Sequence, residues 1–321
     1  MKRKVMEENK STREGFGEGL IEVGEKNPDV VVLTADLRDS TKVSKFAKKF
    51  PNRFFDAGVA EQSLVTIASG MANYGKIPVV TSFAVFVPGR CLEQIRTTIA
   101  INNFPVIIVG SHTGFSAGLD GATHQALEDI ATMRTIPNMT VVTPCDFYEA
   151  KKAIVEAVSL GGPVYLRLER DATPIITKED SKFKIGKIDT LKDVKDPQVA
   201  LIATGPILSE VLTAASRLEK NGISSLVLNC HTIKPLDTQA IIHAAKIAGA
   251  VVTIEVHQKA GGLGSAVTEL LSQNFPIPVG IVGVRDLFGE SGKPDELLKK
   301  HGLTAEGIIK KVKEVITRKN N

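Results

Sequence analysis

The chain has 321 residues, enough for two domains of ordinary size, and its 43% hydrophobic and 24% charged residues match soluble globular averages, which excludes disorder, collagen-like repeats and coiled coil. Its 40 basic and 36 acidic residues leave a formal net charge of +4, part of it in the end segments Lys2–Lys4 and Arg318–Lys319, so nucleic acid is not implied as a partner. Aromatics make up only 5%, with no Trp, and no apolar run approaches the roughly 20 residues of a membrane span, so single-strand stacking platforms and membrane insertion are also excluded.

The basic start is followed by Glu7, Glu8, Asn9 and Lys10 rather than by the apolar stretch of a secretory signal, and the expected compartment is the cytoplasm. Three cysteines, Cys91, Cys145 and Cys230, are odd in number and widely spaced, which argues for buried thiols and against a disulfide framework.

In chain order, a helix over Thr12–Glu25 precedes the β-branched run Val30–Leu33, and further strands are expected at Arg53–Asp56, Pro78–Ser82, Val106–Val109, Thr140–Val142 and Val164–Leu168. Helices are expected between them at Glu61–Tyr74, Leu92–Asn102 and Phe147–Ala157. This alternation predicts βα units and a mostly parallel sheet covered on both faces. Residues 176–196 are charged and lack periodicity, which marks a linker between a first domain over 1–175 and a second over 197–321. The second block repeats the α/β pattern with strands Val199–Ala203, Ser225–Leu228, Ala250–Glu255 and Val279–Val282, and ends in a basic helix over Thr304–Lys319.

Ligands of an open α/β sheet bind beyond the carboxyl ends of its strands. Those ends carry Asp36; Gly58-Val59-Ala60-Glu61-Gln62; Phe83 and Phe86; Ser111-His112; the Gly-rich Thr113–Gln125 with Asp120 and His124; and Arg167 and Arg170. A carboxylate at an apolar helix start, two histidines on one loop and arginines at a neighbouring strand end suit acid–base work on an anionic substrate. Singly, each has a plainer explanation: a glutamate in a first helical turn complements the dipole, and most histidines are merely satisfied. Gly15, Gly17 and Gly19 precede the first strand and cannot form a dinucleotide-binding turn, and Gly261-Gly262-Leu263-Gly264 is explained by a close helix–strand crossing.

Taken together, Asp56–Gln62, Thr81-Ser82-Phe83, Asp120-Gly121-Ala122-Thr123-His124-Gln125, Pro137–Asp146 and Thr232–Asp237 resemble, in order and spacing, the transketolase family of thiamine-diphosphate enzymes. The resemblance covers nearly the whole chain and implies the pyrimidine-binding domain followed by the C-terminal domain. The family's diphosphate-binding domain, with its Gly-Asp-Gly, has no counterpart here. The resemblance thus implies the second subunit of a split enzyme, joined to an N-terminal subunit that carries the diphosphate domain and its Mg²⁺ (or Ca²⁺), with a homodimer core inside a heterotetramer.

Residue by residue, Glu61 matches the glutamate that hydrogen-bonds the cofactor's aminopyrimidine and sets its tautomer, and a glutamate among Val59, Ala60, Leu64 and Val65 is expected to be desolvated. Phe83 and Phe86 match aromatics packed on the pyrimidine, Gly89 stands where many relatives have a third, and Asp36 matches an acidic residue on the thiazolium side. His112 and His124 match histidines on substrate hydroxyls and the reacting carbonyl oxygen, Asp120 a reader of an acceptor hydroxyl, and Arg13, Ser40 and Arg170 a phosphate clamp. Strand alternation points Arg167 away, which favours Arg170. Leu119 and Ala122 depart from a frequent Glu and Pro.

The implied reaction moves a two-carbon unit from a ketose phosphate to an aldose phosphate in the pentose phosphate pathway. Competing readings are a 1-deoxy-D-xylulose 5-phosphate synthase, which carries Asp-Arg where this chain has Ser111-His112; the beta subunit of a 2-oxo acid dehydrogenase first component, which leaves Arg13, Ser40 and Arg170 unexplained; and a non-catalytic partner subunit.

Overall fold

The computed structural model describes residues 9–320, so the basic start Lys2–Lys4 lies outside the described residues. Uninterrupted Val, Ile and Leu runs become strands buried on both faces, as in a parallel sheet covered by helices. The first sheet has seven strands in the order Thr232–Lys234, Thr140–Val142, Val164–Arg167, Ile107–Ser111, Ile77–Phe83, Val30–Thr34 and Phe54–Asp56. All neighbours are parallel except the first pair. The second sheet runs Val279–Val284, Val251–Gln258, Val199–Ala203, Ser225–Asn229 and Asp189–Lys192, parallel except for its last strand.

Two strands join the halves in ways that alternation does not reveal. Thr232–Lys234 leaves the second block and adds to the edge of the first sheet, burying Ile233 in an apolar core that contains Met133, Ile136 and Val141. Asp189–Lys192, inside the charged connector, pairs with Ser225–Asn229. Upstream, the connector is anchored by the Asp146 carboxylate, which accepts from the Ile176 N–H at 2.8 Å and from the Thr177 hydroxyl at 2.8 Å.

The opening helix, Thr12–Lys26, is set by a capping box in which Ser11 and Glu14 satisfy each other's backbone. Its glycines are contact surface: a Cβ on Gly15 would collide with the Phe147 carbonyl, and one on Gly19 would sit 2.6 Å from the Lys151 oxygen. The expected helix at Leu92–Asn102 begins five residues earlier. It starts at Val87 with Pro88 in its first turn, where the missing N–H has no intrahelical role, runs to Gln94 and continues as a π-helical turn, Ile95–Ala100. Among the described residues no helix is long and apolar enough to cross a membrane.

The strand order places the topological switch between Val30–Thr34 and Ile77–Phe83, since the chain leaves the former outward to Phe54–Asp56 and returns on its other side.

Candidate active site

At that switch, Asp56 ties the strand ends together: its Oδ1 accepts from the backbone N–H of Asp36 at 2.9 Å and of Gly58 at 3.0 Å. Asp36 has φ +57° and Gly58 φ +69°, left-handed conformations that a short polar side chain or a glycine tolerates. The turn delivers Glu61 into the first turn of the helix Glu61–Asn73, where it is 6% exposed.

A carboxylate buried so deeply needs a partner, and its partner is Arg90, whose Nη1 lies 3.1 Å from each Glu61 oxygen. Arg90 packs its guanidinium carbon 4.1 Å from the centroid of Phe86, and its carbonyl accepts from Gln62 Nε2 at 3.0 Å. Nearby, burial, reinforced by Glu61, pushes the Cys91 thiol up to about 12, which leaves it inert.

Phe83 ends its strand, and Phe86 follows one turn later. Their rings stack with centroids 5.8 Å apart, His112 lies 3.9 Å from Phe83, and His124 meets Phe86 edge-on at 5.3 Å. A Cβ at Gly89, in the helix that follows Phe86, would meet nothing within 4 Å, so that position is open. His112 is buried at φ +60° with Nδ1 2.8 Å from the Ser111 hydroxyl. Burial first, then the charges of Arg13, Arg170 and His124, lower its pKa to about 3, so its imidazole is neutral. His124 Nδ1 lies 2.9 Å from Thr123 Oγ1.

The Gly-rich loop is braced from the second half by Gln125, whose Nε2 donates to the carbonyls of Gly118 at 3.1 Å and Glu290 at 2.9 Å. Arg13 donates through Nη1 to the Ser40 carbonyl at 2.7 Å and through Nε to the Arg170 carbonyl at 3.1 Å. Ser40 thus meets Arg13 through its backbone rather than its hydroxyl. Arg170 lies 3.6 Å from Asp120. Burial first, then the neighbouring Arg170 charge, lower the Arg13 pKa, with Glu14 and Asp171 opposing them. Arg167 instead faces inward, 2% exposed, and pairs with Asp129 at 2.8 Å.

The sequence candidates therefore form linked groups: Glu61 with Arg90; Phe83, Phe86, His112 and His124; and Arg13, Ser40, Asp120 and Arg170. Asp36 belongs with Asp56 and Gly58. Asp56, Ser111 and Thr123 entered the sequence reading only as parts of motifs, and Arg90 did not enter it at all. Arg90 stands four residues after Phe86, one helical turn on, a signal available only to a reading that starts the helix at Val87.

Comparison with known proteins follows the same geography. The family model "Transketolase, pyrimidine binding domain" matches residues 8–175, and "Transketolase, C-terminal domain" matches residues 186–308. The chain is 46% identical over 308 residues to the "Putative transketolase C-terminal section" of Methanocaldococcus jannaschii, covering 95% of this chain and 96% of that one. It is 41% identical over 308 residues to a 6-deoxy-6-sulfo-D-fructose transketolase subunit of a Clostridium species, covering 96% and 95%. A solved structure described as a split gene transketolase, inactive beta4 tetramer, superposes with TM-score 0.90 at 45% identity, covering 96% of this chain and 99% of that one. With both of its halves matched in order, the chain belongs to the transketolase family, as a section that joins the pyrimidine-binding and C-terminal domains.

Proposed function

We propose that this chain is the C-terminal subunit of a split transketolase that moves a two-carbon ketol unit from a ketose phosphate to an aldose phosphate once joined to an N-terminal subunit. The observation that carries this reading is the buried Glu61 carboxylate next to the Phe83–Phe86 stack, with neutral His112 and a paired-arginine rim on the same sheet end.

The residues suit thiamine diphosphate: a flat aromatic pair, open space at Gly89, and a carboxylate whose guanidinium partner is half exposed and so displaceable. Glu61 is assigned to the aminopyrimidine, holding or sharing a proton with its ring nitrogen, and Phe83 and Phe86 to its face. The bound cofactor supplies the nucleophilic carbon and the electron sink for breaking the bond between the ketose's second and third carbons. Asp36 is assigned to the thiazolium side, and Mg²⁺ to the partner subunit.

His112 and His124 are assigned to substrate hydroxyls and to the carbonyl oxygen that gains charge. As a neutral imidazole fixed by Ser111, His112 offers one donor or acceptor without competing for the substrate's charge. Asp120 is assigned to an acceptor hydroxyl, and Arg13 with Arg170 to the terminal anion. Ser111-His112 favours this reading over the synthase of deoxyxylulose phosphate. The sulfo-fructose relative supports a variant in which the rim takes a sulfonate, since guanidinium pairs recognise either oxyanion.

The test is two-carbon transfer from xylulose 5-phosphate to ribose 5-phosphate by this chain, alone and mixed with its N-terminal partner, in cytoplasm-like buffer with thiamine diphosphate and Mg²⁺. Activity confined to the mixture, and lost in Glu61→Ala, is expected. A cofactor-loaded heterotetramer that leaves every phosphorylated and sulfonated ketose untouched would refute the reading.

A further inference from the structure

Away from the candidate active site, at the seam between the halves, a second set of polar side chains is buried. Glu149, in the helix Phe147–Ala157, is 1% exposed, and His231, between the strands Ser225–Asn229 and Thr232–Lys234, is fully buried. Asp189 opens the strand Asp189–Lys192 with its side chain 37% exposed. One ligand atom from each of the three lies within 4.8 Å of the others.

The His231 ring is fixed from behind. Its Nδ1 lies 2.9 Å from Thr232 Oγ1, which also accepts from the Gly186 N–H at 3.1 Å, and Phe183 packs on the ring with centroids 4.4 Å apart. Its Nε2 is buried without a hydrogen-bond partner and faces Asp189 Oδ2 at 3.9 Å. Such a gap is too long for a hydrogen bond. Beside them Asn229 Oδ1 is also buried without a partner, while its Nδ2 donates to Glu149 Oε1 at 2.7 Å.

Two metal–ligand bonds of about 2.0–2.2 Å at a tetrahedral angle set their ligand atoms about 3.3–3.6 Å apart, so the 3.9 Å gap between nitrogen and carboxylate oxygen closes around an ion with a shift of about half an ångström. An imidazole oriented through its other nitrogen by a side-chain oxygen has the outer-shell arrangement of metal-bound histidines. Glu149 is held through both oxygens, Oε2 accepting from the Cys145 N–H at 2.6 Å and Oε1 from Asn229 at 2.7 Å, which leaves each a further lone pair for an ion, and a mixed nitrogen and oxygen set suits a borderline ion. We propose that Glu149, Asp189 and His231 form a site for a divalent transition-metal ion, with Zn²⁺ as its probe. The ion would enter past the half-exposed Asp189 and tie a helix of the first half to the strand ends of the second.

The experiment uses the full chain, stripped with a chelator and dialysed against Zn²⁺, with bound metal counted per chain, the melting temperature recorded, and visible absorption of a Co²⁺-loaded sample as a geometry probe. Expected are one ion per chain, a four-coordinate Co²⁺ band, and a melting temperature raised by roughly 3–6 °C at a hundredfold excess over Kd. All three should vanish in Asp189→Asn, a half-exposed change that leaves the fold intact, and in His231→Gln, and persist in the distant Glu306→Gln. Failure to bind Zn²⁺ at about 100 μM, weaker than structural zinc sites require, would overturn the proposal, as would binding that survives Asp189→Asn.

Discussion

Arg90 places a single nitrogen, Nη1, 3.1 Å from both carboxylate oxygens of Glu61, so the glutamate proposed to hold the cofactor is engaged by a cation of its own chain. Glu61 is 6% exposed and the Arg90 side chain 51% exposed, so the pair is asymmetric: the carboxylate needs the guanidinium more than the reverse. Cofactor docking must free at least one oxygen. Arg90→Ala should therefore lower the melting temperature of the free chain by about 1–2 °C, the equivalent of about 1 kcal/mol for a screened, half-exposed pair in a chain of this length. In the cofactor-loaded assembly the loss should shrink, because Glu61 then has another partner. Thermal melts in both states check this; an equal loss in each would make the contact purely structural.

Glu61→Gln and Glu61→Ala should lower kcat for two-carbon transfer by about 10²–10⁴-fold in the assembled enzyme, the range for removal of a positioned proton-transfer group. Assembly with the N-terminal partner, followed by size-exclusion chromatography, should be unchanged. A variant that retains full turnover would remove Glu61 from the chemistry.

Much of this was legible in the residues. Alternating β-branched runs and amphipathic stretches reveal the parallel sheets, because a strand buried on both faces must be apolar throughout, as Val30–Thr34 is. The strand ends bring out His112, Phe83 and Arg170 as candidates, and the family resemblance gives each of them a role. What stayed hidden depends on long-range pairing. Nothing local tells Thr232–Lys234 to cross to the first sheet, and a proline at position 88 obscured the helix that carries Arg90. Strand alternation turns Arg167 away from the rim, and its guanidinium lies inward on Asp129.

His112 links the site to acid stability. Its pKa falls from 6.5 to about 3 on folding, so as pH drops the unfolded chain takes the proton first. The stability contributed by the neutral imidazole is complete above about pH 6.5 and is lost progressively towards pH 3, at no more than about 1.4 kcal/mol per pH unit. Urea midpoints measured from pH 7.5 down to pH 4 should fall less steeply in His112→Asn than in the parent. The acid limb of the activity profile should also not be His112's, because the ring stays neutral throughout the working range.

Arg13 and Arg170 predict a measurable anion dependence. Inorganic phosphate should raise the melting temperature of the chain, the more so at low ionic strength, because it offsets the repulsion between the two guanidinium groups. Arg170→Ala should remove that effect and raise KM for a phosphorylated acceptor by about 10–100-fold, the loss of one or two charge-assisted hydrogen bonds, with kcat little changed. An unphosphorylated acceptor such as glycolaldehyde should show no difference; an equal penalty on it would place Arg170 elsewhere.

The opening helix couples packing to that same rim. A methyl group at Gly15 would collide with the Phe147 carbonyl, and one at Gly19 would lie 2.6 Å from both the Lys151 oxygen and Ile154 Cγ2, so neither can be relieved by turning a flexible side-chain end alone. The helices Thr12–Lys26 and Phe147–Ala157 must separate, at a cost of about 1–3 kcal/mol per site for overpacking. Arg13 rides on the first of these helices, so separation also shifts it against Arg170. Gly15→Ala should therefore lower stability and raise KM for phosphorylated acceptors together. Gly70→Ala is the matched control: it sits in the helix Glu61–Asn73 with nothing within 4 Å of its Cβ position, and higher helix propensity should leave it neutral or more stable by up to about 1 kcal/mol. A Gly15→Ala chain that melts with the parent would show that the two helices can part without cost, and the rim would then have to be positioned by the Ser40 and Arg170 carbonyls alone.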